Sequence, residues 1–283
     1  MSSSSTSSSE KKETLLFHVE LNEVRLLQKA LRPLYETAYF PDDMSLAGKI
    51  RDSGHFCISP DGVLIASTTS FPPHLDAYLE LPRATFAALR CHKDHVLRLN
   101  LRLLEDRIAA TTVNGCDGVS ACFSGEKYRH SALLYSLRDK EGFAVHSSEI
   151  PLICSYPGFL ATLDWSDYSY QLSIEMPTET FKQLINSLSL YGFAVRATVT
   201  ITQIMFRVVN EEVVLRAEAE VYKILRSRSR YPYLLEFGLH QKSAFLNAAS
   251  LSDRVRLHQL LDLRTVLEVP VKGLGSILFC FKL

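Results

Sequence analysis

The sequence predicts an α+β chain built from two similar halves. Three observations point there. Short runs of alternating apolar and polar residues, bounded by Gly, Pro, Asn and Asp, recur along most of the chain's 283 residues. Four stretches change to a helical period. The same rhythm then restarts after IPLICSYPGFLATLDWSDY (150–168), a stretch that mixes apolar residues with Pro151, Pro157 and Gly158.

The first half begins after residues 1–13, a Ser-rich segment that can bury nothing and is expected to be a disordered tail. Leu15–Leu21 (LLFHVEL) reads as a strand, and a helix starts at Asn22, a good N-cap residue. That helix is expected to end near Arg32, because Pro33 disfavours the helical conformation of the residue before it. Strands follow at 56–59, 63–68 and 74–81, with a turn at Pro60-Asp61-Gly62. His95–Asn100 leads into a second helix over 101–111, and strands are expected at 119–123, 131–137 and 143–147.

Residues 150–168 read as an extended connector between an N-terminal unit at 14–149 and a C-terminal unit at 169–283. The second unit opens with a strand at 170–175 and a helix over 178–190 that Gly192 ends. Strands at 193–201, 204–209 and 213–224 precede the basic loop RSRSR (226–230). Tyr233–Gly238, a helix over 240–250, and strands at Arg254–Leu260, 266–271 and 276–281 complete the reading.

Composition narrows the function. Apolar residues form 47% of the chain, enough for a packed core, and 31 Lys and Arg balance 31 Asp and Glu. That neutrality excludes a simple basic DNA-binding domain but not a local basic stripe. No apolar run reaches the ~20 residues that cross a bilayer, and the polar N-terminus lacks a secretory signal. A cytosolic or nuclear protein with no membrane contact is expected. The six cysteines (Cys57, Cys91, Cys116, Cys122, Cys154, Cys280) form no C-x-x-C pair, so reduced thiols and no metal site are expected.

Catalytic signatures are missing. Gly273-Leu274-Gly275 lacks the Lys-Ser/Thr of a phosphate loop and reads as a turn. His92, Asp94 and His95 read as a polar hairpin turn. A two-metal nuclease needs converging carboxylates, which Asp61, Asp76, Glu105 and Asp106 do not suggest. Neither catalysis nor a cofactor is expected. Trp165 reads as an anchor at the connector's end.

The helix faces are more telling. In the first helix Val24, Leu27, Leu31 and Leu34 fall within about 80° of one another, while Arg25, Lys29 and Arg32 span about 60° on the other side. The second helix offers Leu101, Leu104 and Ile108 to a core, with Arg102 opposed by Glu105 and Asp106. On the third, Phe181, Leu184, Ile185 and Leu188 form the stripe, leaving Lys182 and Asn186 outward. On the fourth, Phe245, Ala248 and Ala249 face inward and His240, Ser243 and Asn247 outward, with Lys242 at the boundary. Mildly basic outer sides of this kind suit weak, salt-sensitive phosphate contacts without base readout.

MPTETFKQLINSLSLYG (176–192) and LLEFGLHQKSAFLNAASLSDRVRLHQL (234–260) resemble the two helix regions in the C-terminal half of DNA sliding clamps of the PCNA fold. TVLEVPVKGLGSILFCF (265–281) is similar to that fold's last strand pair, and HLDAYLEL (74–81) and HVLRLNLRLLEDRIA (95–109) occupy the matching places in the first half. The similarity runs along about 270 residues. HVLRLNLRLLEDRIA and YRHSALLYSLRDKEGFAVHSSEIPL (128–152) look closer to the heterotrimeric DNA-damage checkpoint clamp, in its Rad-one branch. The segments at 176–192 and 234–260 look closer to PCNA itself.

The resemblance implies two clamp domains with antiparallel sheets outside and two helices each on the inner face. It implies a nuclear ring subunit that encircles double-stranded DNA without reading sequence. Its partners would be two further clamp subunits, paralogues or copies of itself, a clamp loader, and repair, replication or checkpoint proteins. Arg25, Lys29, Arg32, Arg102, Lys182 and Lys242 would then be the DNA-facing residues. A groove for partner peptides would involve Leu152, Ile153, Phe159, Leu160, Leu278 and Cys280. Relatives of the checkpoint clamp have carried an exonuclease label, a reading disfavoured here.

Overall fold

The computed structural model describes residues 15–38, 52–68, 74–112, 120–126, 131–153, 169–228 and 231–282. The Ser-rich segment, most of the expected connector, Trp165, Cys116 and Cys154 lie outside these residues.

In the N-terminal half the strands are β1 (Leu15–Leu21), β2 (Ser53–Ser59), β3 (Gly62–Thr68), β4 (Leu75–Pro82), β5 (Phe86–Cys91), β6 (His95–Asn100), β7 (Ser120–Glu126), β8 (Ala132–Arg138) and β9 (Ala144–Pro151). Helix α1 (Val24–Ala38) follows β1 and helix α2 (Leu101–Thr112) follows β6. In the C-terminal half they are β10 (Tyr170–Pro177), β11 (Ala194–Val199), β12 (Gln203–Val208), β13 (Glu211–Arg216), β14 (Lys223–Ser227), β15 (Tyr233–Gly238), β16 (Arg254–Leu260), β17 (Thr265–Val271) and β18 (Gly275–Phe281). Helix α3 (Thr178–Leu188) follows β10 and helix α4 (Lys242–Ala249) follows β15. The two halves therefore share one order of elements, down to a single 3₁₀ turn between their fourth and fifth strands.

The pairing repeats as well. Strand order β5-β1-β7-β8-β9 in the first half matches β14-β10-β16-β17-β18 in the second, and β4-β3-β2-β6 matches β13-β12-β11-β15. The named strand pairs are all antiparallel. One junction joins the halves: β18 pairs with β4 from Ser276↔Glu80 to Phe281↔Leu75, fusing two of the four sets into a nine-stranded sheet.

The helices pack on one side of that sheet. α1 lies on β2, β3 and β4, α2 on β2 and β6, and α3 on β10 and β16. α4 sets the Phe245 ring 4.9 Å from Phe279 of β18. Their apolar stripes join one continuous core, in which Leu27, Leu31, Leu34, Leu104, Ile108, Phe181, Ile185, Phe245 and Ala248 are buried. Burying a Leu, Ile or Phe side chain contributes roughly 1.5–3 kcal/mol. The smaller cluster of Ala66, Tyr78, Leu260, Val266, Leu278 and Cys280 is separate from that core. On β18 its members alternate with the core residues Ile277, Phe279 and Phe281, so it lies on the sheet's other side.

Several expectations need correction. α1 does not stop near Arg32 but runs through Pro33 to Ala38. Pro33 and Leu34 are buried, and Thr37 Oγ1 donates to the Pro33 carbonyl at 2.8 Å, so packing outweighs the local proline effect. The expected strand at 213–224 is two strands, β13 and β14, parted by a 3₁₀ turn and by Glu220 at φ 51°. The Ala-Glu-rich segment there has little strand preference. Arg226 belongs to β14, not to a loop, and β5 was not anticipated.

Candidate nucleic-acid face and partner groove

The neighbour order of the helices is α2–α1–α4–α3. Polar side chains tie each neighbouring pair on the side away from the sheet. Gln28 of α1 donates to Glu105 of α2 at 3.3 Å, Asn247 of α4 donates to Glu36 of α1 at 2.7 Å, and Lys242 of α4 donates to Ser189, just past α3, at 2.8 Å. Four outward helix sides thus form one continuous polar layer across both halves.

Arg25, Lys29 and Arg32 are exposed on α1, and Arg102 is exposed on α2. Lys182 is half-buried and paired with Glu179 at 2.9 Å, one turn away on α3. Lys242 is half-buried by its contact with Ser189. Arg32 is paired with Glu36 at 2.8 Å, and this hydrogen bond holds its guanidinium pKa above the ordinary value. Arg107 of α2, absent from the expected set, is also exposed; its neighbours Glu105 and Asp106 masked it in the sequence.

Within the four helices there are seven Lys and Arg (Arg25, Lys29, Arg32, Arg102, Arg107, Lys182, Lys242) against four Asp and Glu (Glu36, Glu105, Asp106, Glu179), a surplus of three positive charges. The whole chain is neutral, so the remainder carries the compensating acid. A surplus of this size on flexible side chains attracts phosphate weakly and is screened by salt.

The expected groove residues do not come together in one place. Leu278 and Cys280 are buried on β18, facing away from the helices. Leu152 bridges to Leu99, and the Ile153 N–H donates to the Arg98 carbonyl at 2.7 Å, so both run along β6. β4, β3 and β2 intervene between β18 and β6, a separation of about 19 Å at the usual strand spacing. Phe159 and Leu160 lie outside the described residues. A cavity of about 480 Å³ opens where β18 ends, lined in part by Leu75, Phe193, Gly238, His240 and Phe281.

The sheet side away from the helices carries a polar network that sequence did not reveal. Arg256 bridges Glu175 and Glu268 at 3.0 and 3.4 Å, and Glu268 also meets His258 at 2.8 Å and accepts from Ser276 at 2.9 Å. Tyr170 stacks on His258 with ring centroids 4.1 Å apart. Burial works to raise the Glu268 carboxyl, but these partners together hold it below its ordinary value. Glu80, on β4 of the adjoining half, is pushed up to about 7 by burial and then by Glu268. These residues sit on alternate positions of neighbouring strands, and pairing register alone gathers them.

Asp61 is in the β2–β3 turn, Asp76 on β4 pairs with Lys282 at 2.6 Å, and Glu105 and Asp106 are on α2. His92 and Asp94 are exposed in the β5–β6 turn, and His95 packs against Phe17 at 5.3 Å. Among the described residues no helix is long and apolar enough to cross a membrane. Set against models of protein families the chain matches none, and no curated protein matches it.

Proposed function

We propose that this chain is a non-enzymatic subunit of a ring-shaped sliding clamp that encircles duplex DNA and scaffolds repair, replication or checkpoint proteins. The reading favours a heterotrimeric checkpoint clamp in the nucleus. The repeat carries it. In the repeated order β9 corresponds to β18 and β13 corresponds to β4, yet β18 pairs with β4 while β9 and β13 each end a sheet among the described residues. One chain thus holds one copy of a junction together with the two halves of a second.

Pairing β9 of one subunit with β13 of the next repeats the β18–β4 junction between molecules. Such a contact is heterologous, and heterologous contacts close into rings when the rotation allows. Closure also gives the β9 and β13 edges a partner, which removes the hazard of leaving those two edges open. Each half would add one repeat to the circle, and the shared helix layer would line its inside. Three extra positive charges per subunit then attract the phosphate backbone without gripping it.

The test is twofold. Sedimentation of the purified chain, alone and with co-expressed nuclear clamp-like chains, separates the arrangements: assembly only with two different chains supports the heterotrimer, whereas a self-trimer moves the assignment to a homotrimeric processivity factor. The loaded assembly should stay on closed circular DNA and slide off linear DNA of the same sequence. Equal retention on both forms overturns encirclement.

A further inference from the structure

We propose that His18, Glu20 and Cys122 form a site for a single divalent transition metal of the zinc class, on the face of the five-stranded sheet turned away from the core. The three donors are an imidazole nitrogen, a carboxylate oxygen and a sulfur, and their ligand atoms all lie within 4.8 Å of one another. His18 Nε2 and Glu20 Oε2 stand 4.0 Å apart.

The geometry follows from strand pairing. His18 and Glu20 are two apart on β1, so they project from one side of the sheet. Glu20 pairs directly with Cys122 of β7. Two alternate residues of one strand and a third from the strand beside it form a three-point platform. Tetrahedral zinc with bonds of about 2.0–2.3 Å holds its ligand atoms about 3.3–3.7 Å apart. The present spacing of up to 4.8 Å would have to close by about an ångström for the ion to be held.

The surroundings suit an ion of limited charge. Ser120 Oγ donates to Glu20 Oε1 at 2.7 Å, orienting the carboxylate as supporting groups do at metal sites. Arg138 and Arg90 lie close enough to act on the His18 imidazole. A carboxylate and a thiolate would cancel a divalent charge, so these arginines would meet a neutral complex and not a bare cation. Cys122 is buried while His18 and Glu20 are partly open, which leaves the fourth position toward solvent for a water. Binding exchanges the thiol proton for a metal–sulfur bond and releases one proton to buffer. The bound ion would staple β1 to β7. Mixed nitrogen, oxygen and sulfur donors favour zinc over magnesium or calcium.

The full chain, kept reduced with a non-chelating phosphine, is titrated with Co²⁺ and then with Zn²⁺ in competition. One equivalent of Co²⁺ should bind with a thiolate-to-metal charge-transfer band in the near ultraviolet, and Zn²⁺ should remove the band. Cys122→Ser should abolish the band, and His18→Ala and Glu20→Gln should weaken binding at least about tenfold, the low end of what loss of a mere supporting group costs. Cys57→Ser, on β2 of the nine-stranded sheet, should leave both unchanged. Far-ultraviolet circular dichroism checks that each variant is folded, and His18→Ala decides the matter if Cys122→Ser is not. Survival of the band in the folded Cys122→Ser protein, or equal Co²⁺ affinity in parent and His18→Ala, overturns the site.

Discussion

Asn247 of α4 donates its side-chain amide to the carboxylate of Glu36 on α1 at 2.7 Å, across 211 residues of sequence. Arg32 holds the same carboxylate from the other side. The bond therefore links the two halves within the helix layer, as the β18–β4 junction links them within the sheet. Asn247→Ala should lower unfolding stability by about 1.5–3 kcal/mol, the usual worth of a hydrogen bond to a charged group. Urea denaturation followed by circular dichroism measures it. An unchanged midpoint would show that Arg32 alone satisfies Glu36.

The sheet side of the same link turns on Gly275. Its φ is +147°, and a Cβ there would stand 1.9 Å from the Glu80 carbonyl oxygen, a backbone atom with no side-chain freedom to move away. Gly275→Ala should cost at least about 2 kcal/mol, combining a strained backbone region with a direct clash. Gly273→Ala meets nothing within 4 Å but still carries φ +83°, so it should cost less. Comparing their urea midpoints tests whether closeness at the junction, and not glycine conformation alone, sets the cost.

The helix faces were legible in the sequence because burial imposes the helical period directly: Leu27, Leu31 and Leu34 could only pack if they lay together. The repeat was legible for the same reason, since both halves spell the same order of periods. What failed were rules that tertiary packing can overrule. Pro33 is tolerated because Leu34 and Thr37 beyond it are buried. β5, whose FAALRC carries two alanines, becomes a strand through its pairing with β1. Neither the Glu80–Glu268 pair nor the His18–Glu20–Cys122 group was visible, because strand register brings them together and sequence spacing does not encode register. The groove expected from resemblance divided for a related reason: Leu152 and Leu278 belong to strands that three others separate.

Glu80 should make stability depend on pH in a direction opposite to that of a salt-bridged acid. Its carboxyl is raised from 4.5 to about 7, so the fold favours the protonated form. The contribution is complete below about pH 4.5, declines as pH rises toward about 7, and is absent above that. Glu80→Gln keeps a neutral side chain of the same shape. It should be more stable than the parent by roughly 1–3 kcal/mol at about pH 8, with the gap closing below about pH 5. The His258–Glu268 pair is present in both proteins, so their difference reports Glu80 together with its repulsion from Glu268. A gap that stays constant from about pH 5 to pH 8 would rule out a titrating carboxylate as its source.

The basic side of α1 gives the last and most direct prediction. Arg25, Lys29 and Arg32 are exposed there, and Arg32 makes a surface ion pair with Glu36. Such pairs contribute little to folding, so Arg25→Glu, Lys29→Glu and Arg32→Glu combined should leave the circular dichroism spectrum unchanged and the midpoint within about 1 kcal/mol. DNA association should respond strongly, because three attractive charges become three repulsive ones facing phosphate. If each cation displaces about one counterion, the slope of log affinity against log salt should fall by up to about 3. Retention on closed circular DNA near 0.1 M salt should drop at least about tenfold. Reversing Lys140 and Lys272, exposed in the β8–β9 and β17–β18 turns and on none of the four helices, removes two-thirds as much charge from the chain and should leave both readouts unchanged. If the two sets of reversals weaken retention equally, net charge is responsible; if neither does, the helix layer does not face DNA. Loss confined to the α1 variant places phosphate against the side of the helices that Gln28, Glu36, Asn247 and Lys242 tie together.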